Sequence, residues 1–282
     1  MSQKRFAAAA VLLASLSAYG APQLDAVESC YAKAKIQRPP QDLSRHLFVF
    51  IDQTTVLDEG LKRSVRENVR HNLKPDTAFT IATFSAYLGD RYADVVVAGH
   101  LDAPLTPAEK HVTDQDKLQR LERCLGAQVG AAGDAGYAGR LIESSLNKSF
   151  ASASKDISKS DVLASLKDFA DHIVAVSPAK QKIILLVSDM LENSSISSFY
   201  SKKAVRKIDP ESELQKVRER QLIGNFDGAS VYVIGGGLLQ TAGGYRDPDT
   251  MRRLETFWTQ YFKTSKANLT EFGKPALLRP VE

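Results

Sequence analysis

The sequence predicts a single α/β domain, three-layered and Rossmann-like, with a doubly wound, mostly parallel sheet carrying one antiparallel edge strand. Runs that are apolar almost throughout, at residues 46–51, 182–188 and 230–234, alternate with stretches whose apolar residues recur at helical spacing. This is the pattern of parallel strands buried on both faces by helices. Two of the runs stop on an acid, Asp52 and Asp189. Two further strand-like stretches, 77–86 and 92–98, are joined through Gly89 and Asp90, which reads as a hairpin and supplies the antiparallel edge. A composition of 43% hydrophobic and 25% charged residues is that of an ordinary globular chain.

Taken in order, the chain opens with Lys4 and Arg5, then an uncharged apolar run over 6–16, with Ala18 and Gly20 at cleavage-site spacing. The run is shorter than the roughly 20 residues of a spanning helix, so residues 1–20 are expected to be a cleavable signal peptide, with an uncleaved anchor as the alternative. No later run is long and apolar enough to cross a bilayer, which gives a periplasmic or secreted location with no transmembrane segment in the mature chain. The formal charge of +4 falls by two once Lys4 and Arg5 leave, too little for a nucleic-acid footprint. The two cysteines, Cys30 and Cys124, are an even count in an oxidising compartment and are expected to pair, with two separate buried thiols as the alternative. The bridge would tie an N-terminal extension, 21–44, to a helix about ninety residues on.

The domain proper is placed at 45–265. The strand at 46–51 leads to a helix over 57–73 carrying Leu61, Val65, Val69 and Leu73, with Asp58 and Glu59 in its first turn and Pro75 beyond its end. After the hairpin, residues 106–150 are helical with a glycine- and alanine-rich break at 126–139. A helix at 161–174 precedes the strand at 182–188, and a helix at 210–223 precedes the strand at 230–234. Gly235, Gly236 and Gly237 then read as a strand-end turn, since no helix opens straight after them to cradle a phosphate. The last helix, 249–263, sets Met251, Leu254, Phe257, Trp258 and Tyr261 on one side as core. Residues 266–282 are expected to be a C-terminal tail.

In open α/β sheets, ligands sit beyond the carboxyl ends of the strands. Asp52 lies at such an end with Thr54 and Thr55, and Asp189 at another beside Ser188, while Ser160 and Asp161 open the helix between them. This set of carboxylates and hydroxyls resembles the von Willebrand factor A domain, whose metal-ion-dependent adhesion site uses Asp-x-Ser-x-Ser after the first strand, a Thr before a helix and an Asp after the fourth strand. The resemblance runs from about Arg45 to Phe262. It implies that Asp52 and Thr54 stand for the first acid and first hydroxyl, Ser160 for the loop threonine, and Asp189 for the second acid. Val56 falls where the family has its second Ser, so Thr55 would have to replace it. The resemblance further implies a hard divalent cation such as Mg²⁺, held by oxygen ligands with one position open to an acidic side chain of another protein. The bland alternative is that these residues simply cap turns and helices in a metal-free scaffold of a cell-envelope assembly.

The same segments also resemble haloacid-dehalogenase-like phosphatases. There Asp52 would be the nucleophile, Lys180 or Lys182 would neutralise the phosphoryl oxygens, and Asp189 would hold Mg²⁺. That family's acid two residues after the nucleophile is Thr54 here. Other chemistry finds little support: the five histidines show no metal-ligand spacing, and no G-x-S-x-G elbow occurs. The basic run 202–207 either faces solvent or meets an acidic partner.

Overall fold

The computed structural model describes residues 25–38, 42–88, 91–130, 136–154, 160–201, 204–239 and 247–282. The expected signal peptide, the hairpin turn at Gly89 and Asp90, and Lys202 with Lys203 lie outside them.

The elements run α1 (Cys30–Ala34), β1 (Arg45–Asp52), α2 (Glu59–Asn72), β2 (Thr77–Leu88), β3 (Arg91–Leu101), α3 (Pro107–Val112), α4 (Gln115–Val129), α5 (Tyr137–Ser152) and α6 (Val162–Phe169). A π-helical turn (Ala170–Val174) extends α6, and β4 (Gln181–Val187), the short β5 (Tyr200–Ser201) and β6 (Ala204–Val205), α7 (Pro210–Glu219), β7 (Ser230–Ile234), α8 (Pro248–Thr264) and β8 (Asn268–Phe272) follow. The main sheet is ordered β3-β2-β1-β4-β7-β8. All its neighbours are parallel except β2 and β3, so the antiparallel edge falls where the sequence places it.

The continuous apolar runs are explained by burial on both faces. Phe48 and Phe50 of β1, Ile184 and Leu186 of β4, and Val231 and Val233 of β7 pack with α6, α7 and α8. The alternating residues Leu47, Val49, Ile51, Ile183, Leu185 and Val187 pack with α2 and α5 on the other side. Successive side chains of a strand point to opposite faces, so a strand covered twice needs apolar residues at every position. The aromatic face of α8 belongs to the first of these cores, with Phe257, Trp258, Tyr261 and Phe262 fully buried. The helix starts agree with elementary capping: Asp58 accepts from Leu61 N at 2.8 Å, and Asp209 and Asp247 each cap a helix whose next residue is proline.

Three boundaries differ from the sequence reading. The segment placed outside the domain as a tail forms β8, whose pairing with β7 extends the sheet, and Val281 beyond it is fully buried. The stretch 161–174 widens into the π-helical turn after Phe169, with Ala175 N donating to Ala170 O at 2.8 Å. The helix at 210–223 stops at Glu219, because Gln221 takes a left-handed backbone conformation at φ 56°. The extension 21–44 also contributes to packing: Val27 joins the core, and Cys30 bonds to Cys124 with Cα atoms 5.4 Å apart, fastening α1 to α4.

Candidate functional site

The five residues singled out around the two acids converge at the carboxyl edge of β1 and β4. Asp52 ends β1 and is fully buried. Its Oδ1 accepts from the backbone N of Thr54 at 2.8 Å and from Thr54 Oγ1 at 2.6 Å; its Oδ2 accepts from Ser188 Oγ at 2.8 Å and from Ser160 Oγ at 3.5 Å. Asp189 follows β4 and is nearly as buried. Its Oδ1 accepts from Leu191 N at 2.9 Å and its Oδ2 from the Tyr200 hydroxyl at 2.7 Å, while its own backbone N donates to Thr55 Oγ1 at 3.1 Å. Thr55 is thus turned inward as the resemblance requires, and Val56 is half-buried with no oxygen to offer.

The surrounding backbone holds this arrangement. Asn193 and Ser160 exchange backbone hydrogen bonds, clamping the strap after Asp189 to the loop before α6. Glu192, fully inside the fold, accepts from Leu163 N at 2.9 Å at the start of α6. Gly237 N donates to the Asp189 carbonyl at 2.8 Å, and Gly235 sits at φ +105° where a Cβ would come within 2.8 Å of the Ser188 carbonyl. Glycine is needed there for both the backbone angle and the close approach, which makes Gly235 and Gly237 a brace for the Asp189 loop. Trp258 Nε1 donates to the Met190 carbonyl at 3.0 Å and anchors the same loop to α8.

The electrostatics follow from burial. Asp52 is raised above the usual carboxylate range by desolvation, against the pull of its Thr54 and Ser188 hydrogen bonds. Asp189 is pushed up to about 7 by burial and then by the Asp52 charge, and Glu192 to about 7 by burial. The Tyr200 hydroxyl is held well above its ordinary value by burial and by Asp189 beside it. The hydrogen-bond donors to Asp52 and Asp189 among the described residues are all neutral. Two buried carboxylates so placed need a proton or a cation, and carboxylate and hydroxyl oxygens are the donors a hard divalent ion takes. The donor chemistry therefore fits such an ion, with Asp52, Thr54, Thr55, Ser160 and Asp189 as the residues that would hold it.

The phosphatase assignment of Lys180 and Lys182 does not survive the geometry. Lys182 lies at the start of β4, seven residues before Asp189, which at the rise of a strand is roughly 20 Å away. There it is buried in an ion pair with Asp227, and Lys180 pairs with Asp42 at 2.9 Å. Of the basic run, Arg206 pairs with Glu213 and Lys207 with Asp249 at 2.7 Å, so these two are engaged within the molecule.

The sequence reading noticed Ser188 beside the second acid without giving it a role, and missed Tyr200 and Glu192. Ser188 carried a signal in its place between the strand and Asp189. Tyr200 carried none, being eleven residues downstream in an irregular strap.

No family model and no curated protein matches the chain. Among solved structures it is similar to an aerotolerance-related membrane protein from Bacteroides fragilis, at 9% identity over 80% of this chain and 90% of that one, with a TM-score of 0.31. It is also similar to the pilus adhesin SpaC from Lactobacillus rhamnosus GG, at 11% identity over 82% of this chain and 31% of that one, TM-score 0.33. A third is the conserved hypothetical protein BatB from Bacteroides thetaiotaomicron, at 12% identity over 81% and 89%, TM-score 0.25. The functional reading therefore rests on the residues of this chain.

Proposed function

We infer that the chain is an extracytoplasmic protein-binding module of von Willebrand A type, in which Asp52, Thr54, Thr55, Ser160 and Asp189 bind a divalent cation and so capture an acidic group of a partner protein. The observation that carries this reading is the convergence of two buried carboxylates from adjacent parallel strands with three hydroxyls, and, among the described residues, no cationic side chain bonded to either acid. Bound there, Mg²⁺ or a similar ion would supply Lewis acidity toward a carboxylate arriving from outside. The chain's own residues do the rest: the Asn193–Ser160 clamp fixes Ser160 against Asp52, and the glycine brace fixes Asp189. The export-type N-terminus and the Cys30–Cys124 bridge support placement outside the cytoplasm. No helix of the described residues is long and apolar enough to cross a membrane.

A second reading has its own support. Each acid already accepts a backbone N–H two residues on, and Tyr200 occupies Asp189 Oδ2, so the site is held together by ordinary turn hydrogen bonds. This favours a metal-free scaffold of the same fold. Thermal unfolding in EDTA, Mg²⁺ and Mn²⁺ separates the two. The cation reading expects a higher Tm with either metal, a gain absent from an Asp189→Asn variant, and no turnover of an aryl phosphate. An unchanged Tm would leave the scaffold, and metal-dependent turnover would return the site to enzymes.

A further inference from the structure

Tyr200 reaches the two acids from a part of the fold that supplies none of the residues assigned to the cation. Its hydroxyl donates to Asp189 Oδ2 at 2.7 Å from β5, eleven residues further along the chain. Asp52 takes its hydrogen bonds from Thr54, Ser160 and Ser188, and Asp189 Oδ1 takes one from the Leu191 main chain. Those donors belong to the strand-end turns and the loop before α6, so Tyr200 alone of this group comes from the hairpin. Burial keeps the phenol protonated, and the charges of Asp189 and Asp52 both act in the same direction, which puts the hydroxyl in the field of the two acids together. A neutral O–H thus answers a buried carboxylate that a cation would otherwise answer.

The backbone that carries Tyr200 is anchored, and the side chain has a way out. Phe199 before it is fully buried, its ring edge-on to Phe257 with centroids 5.1 Å apart, and its N donates to the Glu192 carbonyl at 2.8 Å. Arg206 ties the other strand down, with its N on the Phe199 carbonyl and its Nε on the Ser198 carbonyl, both at 2.7 Å. The Tyr200 side chain itself is only half-buried, lying against the rim of the core. It can leave Asp189 by rotating to another staggered position toward solvent, with the hairpin intact. The oxygen it covers matters, because Oδ1 is tied to Leu191 N within the turn and Oδ2 is the one left to ligate. A hard divalent ion takes carboxylates, carbonyls and water, and Mg²⁺ keeps several of its waters. A phenol seated on Oδ2 brings a proton to that oxygen and a ring to the space those waters need.

We propose that Tyr200 is a gate on the cation site: its hydroxyl closes Asp189 Oδ2 in the metal-free chain and swings toward solvent before that oxygen can ligate. The gate rests on the cation reading and adds to it that the resting protein holds its ion weakly. Calorimetric titration of Mg²⁺ and Mn²⁺ into metal-free wild type and a Tyr200→Phe variant tests it, beside NMR of the tyrosine ring carbons of the wild type. The variant is expected to bind Mn²⁺ about tenfold more tightly, since it has no hydrogen bond to a charged group to break first. In the wild type the Tyr200 Cζ signal is expected to move toward that of a solvent-exposed tyrosine as the site saturates. That signal is read without the substitution, so it decides the matter even where the variant folds poorly. Equal binding by a folded variant, or the weaker binding expected of a hydroxyl that merely orients Asp189, overturns the gate and leaves the cation reading standing. A Tyr200 signal that stays in place at saturation does the same. No heat from either folded protein overturns both.

Discussion

His46 shows how a single residue can be silent in the sequence and decisive in the fold. It sits on β1, 2% exposed, stacked on Phe48 with ring centroids 3.8 Å apart, and its two nitrogens meet Ser177 Oγ at 2.8 Å and Thr80 Oγ1 at 2.9 Å. Burial, aided by the Lys182 and His100 charges, lowers its pKa to about 3. In the unfolded chain it titrates near its ordinary value of about 6.5, so between these values the unfolded state binds more protons than the folded one. The fold therefore bears no penalty from this ring above about pH 6.5 and loses stability as pH falls toward about 3, on the order of 5 kcal/mol in all. An NMR titration of the imidazole is expected to find it neutral down to at least pH 4; a midpoint near 6.5 would remove this contribution. The acids at the other edge were legible for the opposite reason. Asp52 and Asp189 interrupt apolar runs, and a carboxylate at a strand's carboxyl end stands out. Tyr200 and Glu192 act through contacts that only the folded strap creates.

At the scale of elements, legibility followed burial. β1, β4 and β7 are covered on both faces and read as unbroken apolar runs, whereas β8 is an edge strand that alternates exposed and half-buried positions over Asn268–Phe272 and ends on the buried Phe272. Its five residues, NLTEF, carry too little hydrophobicity to mark a strand, which is why the sheet was ended too early. The cysteines were readable by count alone, and the structure shows what their bridge does. It joins α1 to α4 around a small separate core of Tyr31, Ala34, Leu105 and Leu121. So small a cluster buries little area, and closing a 94-residue separation stabilises the fold by about 5 kcal/mol in the chain-entropy model. A Cys30→Ser, Cys124→Ser variant is expected to unfold at clearly lower urea concentration, with the loss reproduced by reducing the wild type. Coincident unfolding curves would show that the lobe is held by packing alone.

Over the whole molecule, the two edges of one sheet are built from different residues. The carboxyl edge gathers acids and hydroxyls around Asp52 and Asp189, and the amino edge is closed by the N-terminal segment over a cavity lined by His100. The strand order, with its single antiparallel edge, is what places Asp52 and Asp189 side by side, since β1 and β4 are neighbours although about 130 residues separate them. The central claim is that this pair holds a divalent cation. Its most direct test is calorimetric titration of Mg²⁺ and Mn²⁺ into metal-free protein beside an Asp52→Ala variant whose folding is checked by circular dichroism. The account predicts saturable binding of one ion per chain that the variant abolishes. No heat from the wild type, or equal heat from both proteins, would contradict it.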